Sequence, residues 1–287
     1  MRFLIIITII LVTVIIYPVH KSFSLPLAND FYFNSHGDVI LNQDNKTITA
    51  NNKVFFINNS NNYAADNLTV WYQDLKTLDL EHINRIEANG NISITTGNKQ
   101  KITGDRYVYS LTAGVHVLQS IKNPVIYKDT LRTLTAKDRI EYFIKENAVI
   151  IRGKPNIVGR ANLTSKSYYR INADLINIKL SEATNSSNPT KDTSIIHNNA
   201  NDVDFVEAVD NVTFKEKDTT ISAGYAIYYK KQNQIEFYNN VIFSTKEGTL
   251  KGCSAIYNLN LGYGKLIPCS KESKLIGTYK PKQKVTK

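Results

Sequence analysis

Methionine and tryptophan occur once each, cysteine twice and histidine five times in 287 residues. That leaves little raw material for metal or redox chemistry. His20, His36, His82, His116 and His197 show no ligand spacing such as His-x-x-x-His. Gly-x-Ser-x-Gly, Ser-x-x-Lys and a phosphate-binding glycine loop are all missing, so no catalytic constellation assembles. The chain does not read as an enzyme, and it calls for no cofactor, metal or catalytic residue. No stretch of the body has a helical period. The net charge of +10 raises the question of nucleic acid, but the excess sits at the ends. Seven Lys and one Glu lie between Lys265 and Lys287, and Arg2 and Lys21 flank the first apolar run, which leaves the body at about +2. A basic tail without a basic, aromatic-laced face excludes nucleic acid as the expected partner.

What is present is strand-forming. Seventeen Tyr and eleven Phe accompany many Thr, Ile and Val, with 42% apolar and 21% charged residues, as in an ordered chain. The organising stretch is Glu87–Ser110, EANGNISITTGNKQKITGDRYVYS. Ile92 and Ile94 alternate with polar residues, a polar turn follows, and Gly104-Asp105 precedes a second alternating pair, Tyr107 and Tyr109. Period-two alternation marks a strand with one dry face, and two such strands around a turn read as a hairpin or meander.

The unit recurs. Val54/Phe56 lead to Leu68/Val70, Val125/Tyr127 to Ile140/Tyr142, and Ile157 to Ile176/Ile178. Val212/Phe214 lead to Ala226/Tyr228, where Tyr228 and Tyr229 compete for the inward position, and Val241/Phe243 lead to Ala255/Tyr257. The two pairs stand fourteen or fifteen residues apart in five of six copies and nineteen in the fourth. A first hairpin, Val39–Leu41 against Ile48–Ala50, precedes the series. Such self-similarity argues for a stacked or rolled all-β architecture, because one strand pair is not stable alone.

Residues 1–28 read as a signal peptide or a retained N-terminal membrane anchor. The apolar run Phe3–Val19 is long for the first and short for the second, and either way the rest is exported. Residues 29–180 form the first part of the roll, and 181–201, rich in Ser, Thr and Asn, read as a polar insertion or joint. Residues 202–268 form the second part, and 269–287 a basic tail that attracts anionic lipid or is simply solvated.

The leader, the alternating body and units of the form EANGN-I-x-I…I-T-G-D-R-Y-V-Y resemble the LptA/OstA family of lipopolysaccharide-transport proteins. That family's fold recurs in the anchored relative LptC and in the N-terminal domain of LptD. The resemblance spans roughly Gly37–Tyr263. It implies an elongated, twisted, open β-jelly roll (OstA-like), packed head to tail into a periplasmic bridge, with lipid acyl chains in its interior. Implied partners are lipopolysaccharide and other transport subunits joined by edge-strand pairing, with self-association, and energy from an ATPase elsewhere. The chain departs from the pattern in its length and insertion, its ambiguous leader and its Lys tail. An LptC-like adaptor tethered to the inner membrane therefore stays open, as does a structural or adhesive β-repeat protein with a closed core.

The inward set is Ile92, Ile94, Tyr107, Tyr109, Val125, Tyr127, Ile140, Tyr142, Val212, Phe214, Tyr228, Val241 and Phe243. These residues are plain core or, on the resemblance, lipid-contacting. Asp66, Asp105, Asp138 and Asp174 recur at one place in separate repeats, which spaces them along the roll and suits turns, not a metal or acid–base site. Cys253 and Cys269, sixteen apart in an oxidising compartment, are either a staple or two free thiols.

Overall fold

The computed structural model describes residues 32–58, 61–73, 82–96, 100–160, 168–181, 203–270 and 276–279. The expected leader (1–28), nearly all of the expected polar insertion (181–201) and most of the Lys-rich end lie outside the described residues. The protein is all-β. Four long strands come first: β3 (Thr47–Asn58), β4 (Asn61–Tyr72), β5 (Ile83–Thr95) and β6 (Lys101–Ser110). Four more come late: β15 (Val203–Glu216), β16 (Thr219–Tyr229), β17 (Gln234–Ser244) and β18 (Gly248–Asn258). Between them run eight short strands. They are β7 (Val115–Gln119), β8 (Val125–Lys128), β9 (Arg132–Ala136), β10 (Arg139–Phe143), β11 (Ala148–Arg152), β12 (Asn156–Gly159), β13 (Tyr169–Asn172) and β14 (Leu175–Leu180). The edges are β1 (Tyr32–Asn34) and β2 (Val39–Asn42) at one end, and β19 (Tyr263–Ile267) and β20 (Ile276–Tyr279) at the other.

All pairings are antiparallel, and the long strands do something the alternation alone does not reveal: each bends midway. At the bend two residues of one strand stand against one of its neighbour, the definition of a bulge. Asn52 and Lys53 face the single Asp66, Gly90 and Asn91 face Asp105, Asp210 and Asn211 face Gly224, and Asn239 and Asn240 face Cys253. Every residue of these doublets has positive φ, from 48° to 78°. Asn, Asp and Gly tolerate that left-handed conformation best, which explains why the doublets are so rich in them. Among the short strands, Gly153 and Lys154 (φ 86° and 56°) make the same corner between β11 and β12.

The bulges line up as a crease that folds one continuous hydrogen-bonded sheet into two. Sheet I runs from β2 through one half of each of β3–β6, then β7, β10, β11, β14, and through halves of β15–β18 to β19. Sheet II runs from β1 through the other halves of β3–β6, then β8, β9, β12, β13, and on to β20. β14 and β15, separated in sequence by residues 181–202, pair directly from Leu175–Val209 onward, so the ladder continues from one to the other.

The pairs of each repeat thus have a different relationship from neighbouring hairpin strands. Ile92 and Ile94 lie on sheet II opposite Gly104 and Ile102, while Tyr107 and Tyr109 lie on sheet I opposite Ala88 and Ile86. The same division holds in the other copies: the first pair goes to sheet II and the second to sheet I. Fourteen or fifteen residues is the path from one sheet to the other, and the two pairs meet across the core.

Candidate functional site

The interior between the sheets is the candidate site. On sheet I one inward row reads Ile48, Val70, Ile86, Tyr109, His116 and Tyr142, and continues through Val149, Ile178, Val206, Tyr228, Ile235 and Tyr257. On sheet II an inward row reads Phe33, Phe56, Tyr63, Ile94, Ile102 and Tyr127, then Leu134, Ile157, Ile171, Phe214, Ile221 and Phe243. Both rows are apolar or aromatic at nearly every step from one end of the roll to the other.

Toward the N-terminal end the interior is closed by aromatic contacts across the gap. Phe56 stacks on Tyr63 at 4.4 Å, and Tyr63 meets Tyr107 of the facing sheet at 5.4 Å. His116 lies against Tyr109 at 4.5 Å and shares a 2.9 Å hydrogen bond between its Nδ1 and the Tyr107 hydroxyl. Burial holds the Tyr107 phenol protonated well above its ordinary range, with Tyr63 adding to the shift. Toward the C-terminal end Phe214 of sheet II meets Tyr257 and Phe237 of sheet I at 5.0 and 5.9 Å.

The middle is looser than the N-terminal end. Tyr127, Ile140, Val149, Ile171 and Ile178 face inward but keep partial exposure. Tyr127 and Ile140 pack against both the N-terminal and the C-terminal core clusters and so join them. Here the sheets are connected by separate short strands and not by bent long ones, so the crease holds them together less continuously.

The sheet II side of the opening is polar. Asn61, Thr96 and Gln100 are buried there, followed by Asp129, Arg132, Tyr169 and the buried Glu216. Asp129 accepts hydrogen bonds from the Tyr127 hydroxyl (2.9 Å) and the Leu131 amide (2.7 Å), and is ion-paired with Arg132 at 3.1 Å. Burial and the neighbouring Asp129 push the Tyr127 phenol up. Burial also raises Tyr169 and Tyr228, with Arg132 working the other way on both. The wedge is therefore apolar at the crease and polar at its mouth, so groups that meet water on opening are ones that water can satisfy.

The sequence-predicted residues all fall on inward-facing positions. Ile92, Ile94, Val125, Val212, Phe214 and Val241 on sheet II are buried, as are Tyr107, Tyr109 and Tyr142 on sheet I. Tyr127, Phe243, Ile140 and Tyr228 are partly buried and packed on the core. Tyr228, not Tyr229, is the inward one of that pair. Asp66, Asp105, Asp138 and Asp174 each sit at the crease beside a left-handed doublet. Asn91 donates to Asp66 at 2.8 Å and Asn211 to Asp174 at 2.6 Å. Cys253 and Cys269 are joined by a disulfide, Cα–Cα 4.8 Å, which ties the last crease position to the second residue after β19. Sequence reasoning passed over the polar mouth, whose residues are scattered through turns and strand ends, and over the doublets. The latter had a signal in GN, DN and NN preceding Ile or Val, of the kind that normally announces a hairpin turn.

No family model matches the chain, and no curated protein matches it. Among solved structures it is similar to the crystal structure of LptH, the LptA-homologous periplasmic component of the conserved lipopolysaccharide transport device from Pseudomonas aeruginosa. That match has a TM-score of 0.38 and 13% identity, and covers 52% of this chain and 95% of the other.

Proposed function

We propose that this chain is a non-enzymatic periplasmic carrier or bridge for lipopolysaccharide, holding acyl chains between its two sheets and joining its neighbours by strand pairing at the edges. The observation that carries this reading is the pair of inward rows, apolar or aromatic at nearly every step, running from one open edge to the other. An acyl chain of a dozen carbons costs on the order of 8–10 kcal/mol to leave in water, at about 0.8 kcal/mol per methylene. A carrier must therefore offer apolar surface without interruption, and a stack of repeats sharing one stripe does so.

The interior is filled by its own side chains, so lipid is admitted only if the sheets part at the mouth. Three features favour parting there. The mouth is polar, its hydrogen bonds exchange with water at a net cost of about 1 kcal/mol each, and several inward residues of the middle section keep partial exposure. Edge pairing is supported by β2, where Val39, Ile40 and Leu41 are all about half exposed, and by Tyr263 on β19. Among the described residues each of these strands has a partner on one side only, and edges of this kind are used for strand addition or are covered.

The test is a photo-crosslinking side chain at Ile140, Tyr127 or Phe214 in exporting cells. Lipopolysaccharide captured at Ile140 or Tyr127 supports the carrier. Absence of lipid at all three favours the closed-core β-repeat protein, the reading suggested by the nearly complete burial of Phe56, Tyr107 and Phe214. An adaptor held at the inner membrane by residues 1–28 is separated from a soluble bridge by the mass of the exported protein and the fraction it partitions into.

A further inference from the structure

The outer surfaces of the two sheets differ in how their charges are balanced. On sheet I the outward glutamates have partners on the same face. Glu87 is bound by Arg85 and Arg106, each at 2.8 Å, and Glu141 by Arg139 and Arg152, each at 2.9 Å. Glu207 accepts the Tyr225 hydroxyl at 2.7 Å. On sheet II the outward positions of the described strands hold Lys101, Lys128, Arg170, Lys215 and Lys251, and neither Asp nor Glu.

Four of these five cations stand in one row, beside the polar mouth. Lys101 is directly opposite Lys128, and Arg170 is directly opposite Lys215. Thr133 and Val158 occupy the row between the two doublets. All four cations are exposed, and among the described residues none is in an ion pair.

Like charges directly opposed in a ladder destabilise it. Lysines that guard a sheet edge are common, but β6, β8, β13 and β15 each have a partner strand on both sides at this level or next to it, so edge protection does not account for them. A purely solubilising surface mixes both signs, as sheet I does. Two opposed cation pairs with no counter-charge on their face are what an anionic ligand would balance.

We propose that this row is a phosphate-binding lip, on which the phosphate groups of an anionic glycolipid rest while its acyl chains lie between the sheets. Each doublet roots two cationic side chains with their Cβ atoms about 5 Å apart, close enough for both charged ends to reach one phosphate dianion. Lys128 and Arg170 are three strand steps apart, about 14 Å at roughly 4.8 Å per step, so the two doublets suit a head group with two separated phosphates. The proposal rests on the carrier reading and adds to it a site that selects the head group.

The test uses the full chain and a quadruple variant, Lys101→Thr, Lys128→Thr, Arg170→Thr and Lys215→Thr. Threonine already fills much of this face, at Thr95, Thr103, Thr133 and Thr213. Affinity is read for bisphosphorylated lipid A and for an uncharged alkyl maltoside of similar chain length, at low and high salt. The expected result is a loss of at least about tenfold for lipid A at low salt, unchanged alkyl maltoside binding and a melting temperature no lower than wild type. Weak competition by inorganic phosphate also supports the lip. Unchanged lipid A affinity in the variant overturns it, and so does displacement of lipid A by double-stranded DNA as effectively as by lipid A itself, which would mark a general polyanion surface. If alkyl maltoside binds neither protein while lipid A binding still depends on the row, the lip stands and the acyl-carrier reading falls. Should the quadruple variant fail to fold, the two doublet variants are compared in the same way, and each is expected to lose part of the lipid A preference.

Discussion

The hydroxyl of Tyr257, on sheet I, donates a 3.0 Å hydrogen bond to Oε2 of Glu216, on sheet II, and both side chains are buried. The bond crosses the gap near the mouth, so it latches the two sheets where they would otherwise separate. Burial and the adjacent Glu216 hold the Tyr257 phenol protonated far above neutral pH, so the latch has its donor throughout the physiological range.

Tyr257→Phe should remove the latch and leave the Glu216 carboxylate short of a donor in a buried position. A loss of about 1–3 kcal/mol is expected in denaturant unfolding, together with faster amide exchange in β15 and β18. No change in either measurement would mean that the sheets are held by apolar contact alone.

Packing differs along the interior, so truncations should differ too. Phe214→Ala removes a fully buried ring that contacts Tyr169, Phe237 and Tyr257 and should cost about 3–5 kcal/mol. Tyr127→Ala, in the looser middle, should cost less. Equal losses, measured by chemical denaturation of both variants, would contradict a middle section that yields more easily than the ends.

At the crease, Gly90 has φ +78°, and a Cβ there would stand 2.9 Å from the Asp66 Cβ. Gly90→Ala combines backbone strain with that clash and should destabilise by about 1–3 kcal/mol. Asn240→Gly, at another left-handed position (φ 58°), should be neutral or slightly stabilising in the same thermal melts.

Asp105 accepts hydrogen bonds from the amides of Asn123 (2.9 Å), Lys122 (2.5 Å) and Ile121 (2.6 Å). These bonds, that of Asn123 first, hold its carboxyl down from the usual 3.8 to about 2, against the opposing effect of desolvation. A carboxyl depressed in the folded state stabilises above its unfolded value, and that contribution is lost as pH falls from about 4 toward 2. Amide exchange at residues 121–123 should accelerate over that interval, and Asp105→Asn should abolish the pH dependence. An NMR titration of the Asp105 carboxyl with a midpoint near 3.8 would show that the three amides do not hold it.

Much of the interior is legible in the sequence alone, and the particular residues show why. Ile92 and Tyr107 announce themselves as inward because period-two alternation survives whichever strand lies alongside. Their partnership was not legible. The spacing of fourteen or fifteen residues fits a hairpin and equally a path around a crease, and only the positive φ of Gly90 and Asn91 decides for the crease. Tyr228 and Tyr229 were ambiguous because adjacent aromatics satisfy either register, and the pairing of Tyr228 with Ile235 and Val206 resolves it. The polar mouth was hidden for a different reason. Asn61, Gln100, Arg132 and Glu216 come from distant parts of the chain and share nothing until the strands are aligned.

By itself the sequence determined that the protein is a stack of strand pairs with one apolar stripe, because alternation and repetition are local properties of the chain. Only the tertiary structure decided that each pair is split between two facing sheets, that a polar rim closes the gap, and that four cations form one row. Those relationships depend on bulge conformation and on register between strands far apart in sequence, and register is set by packing, not by the composition of any single strand.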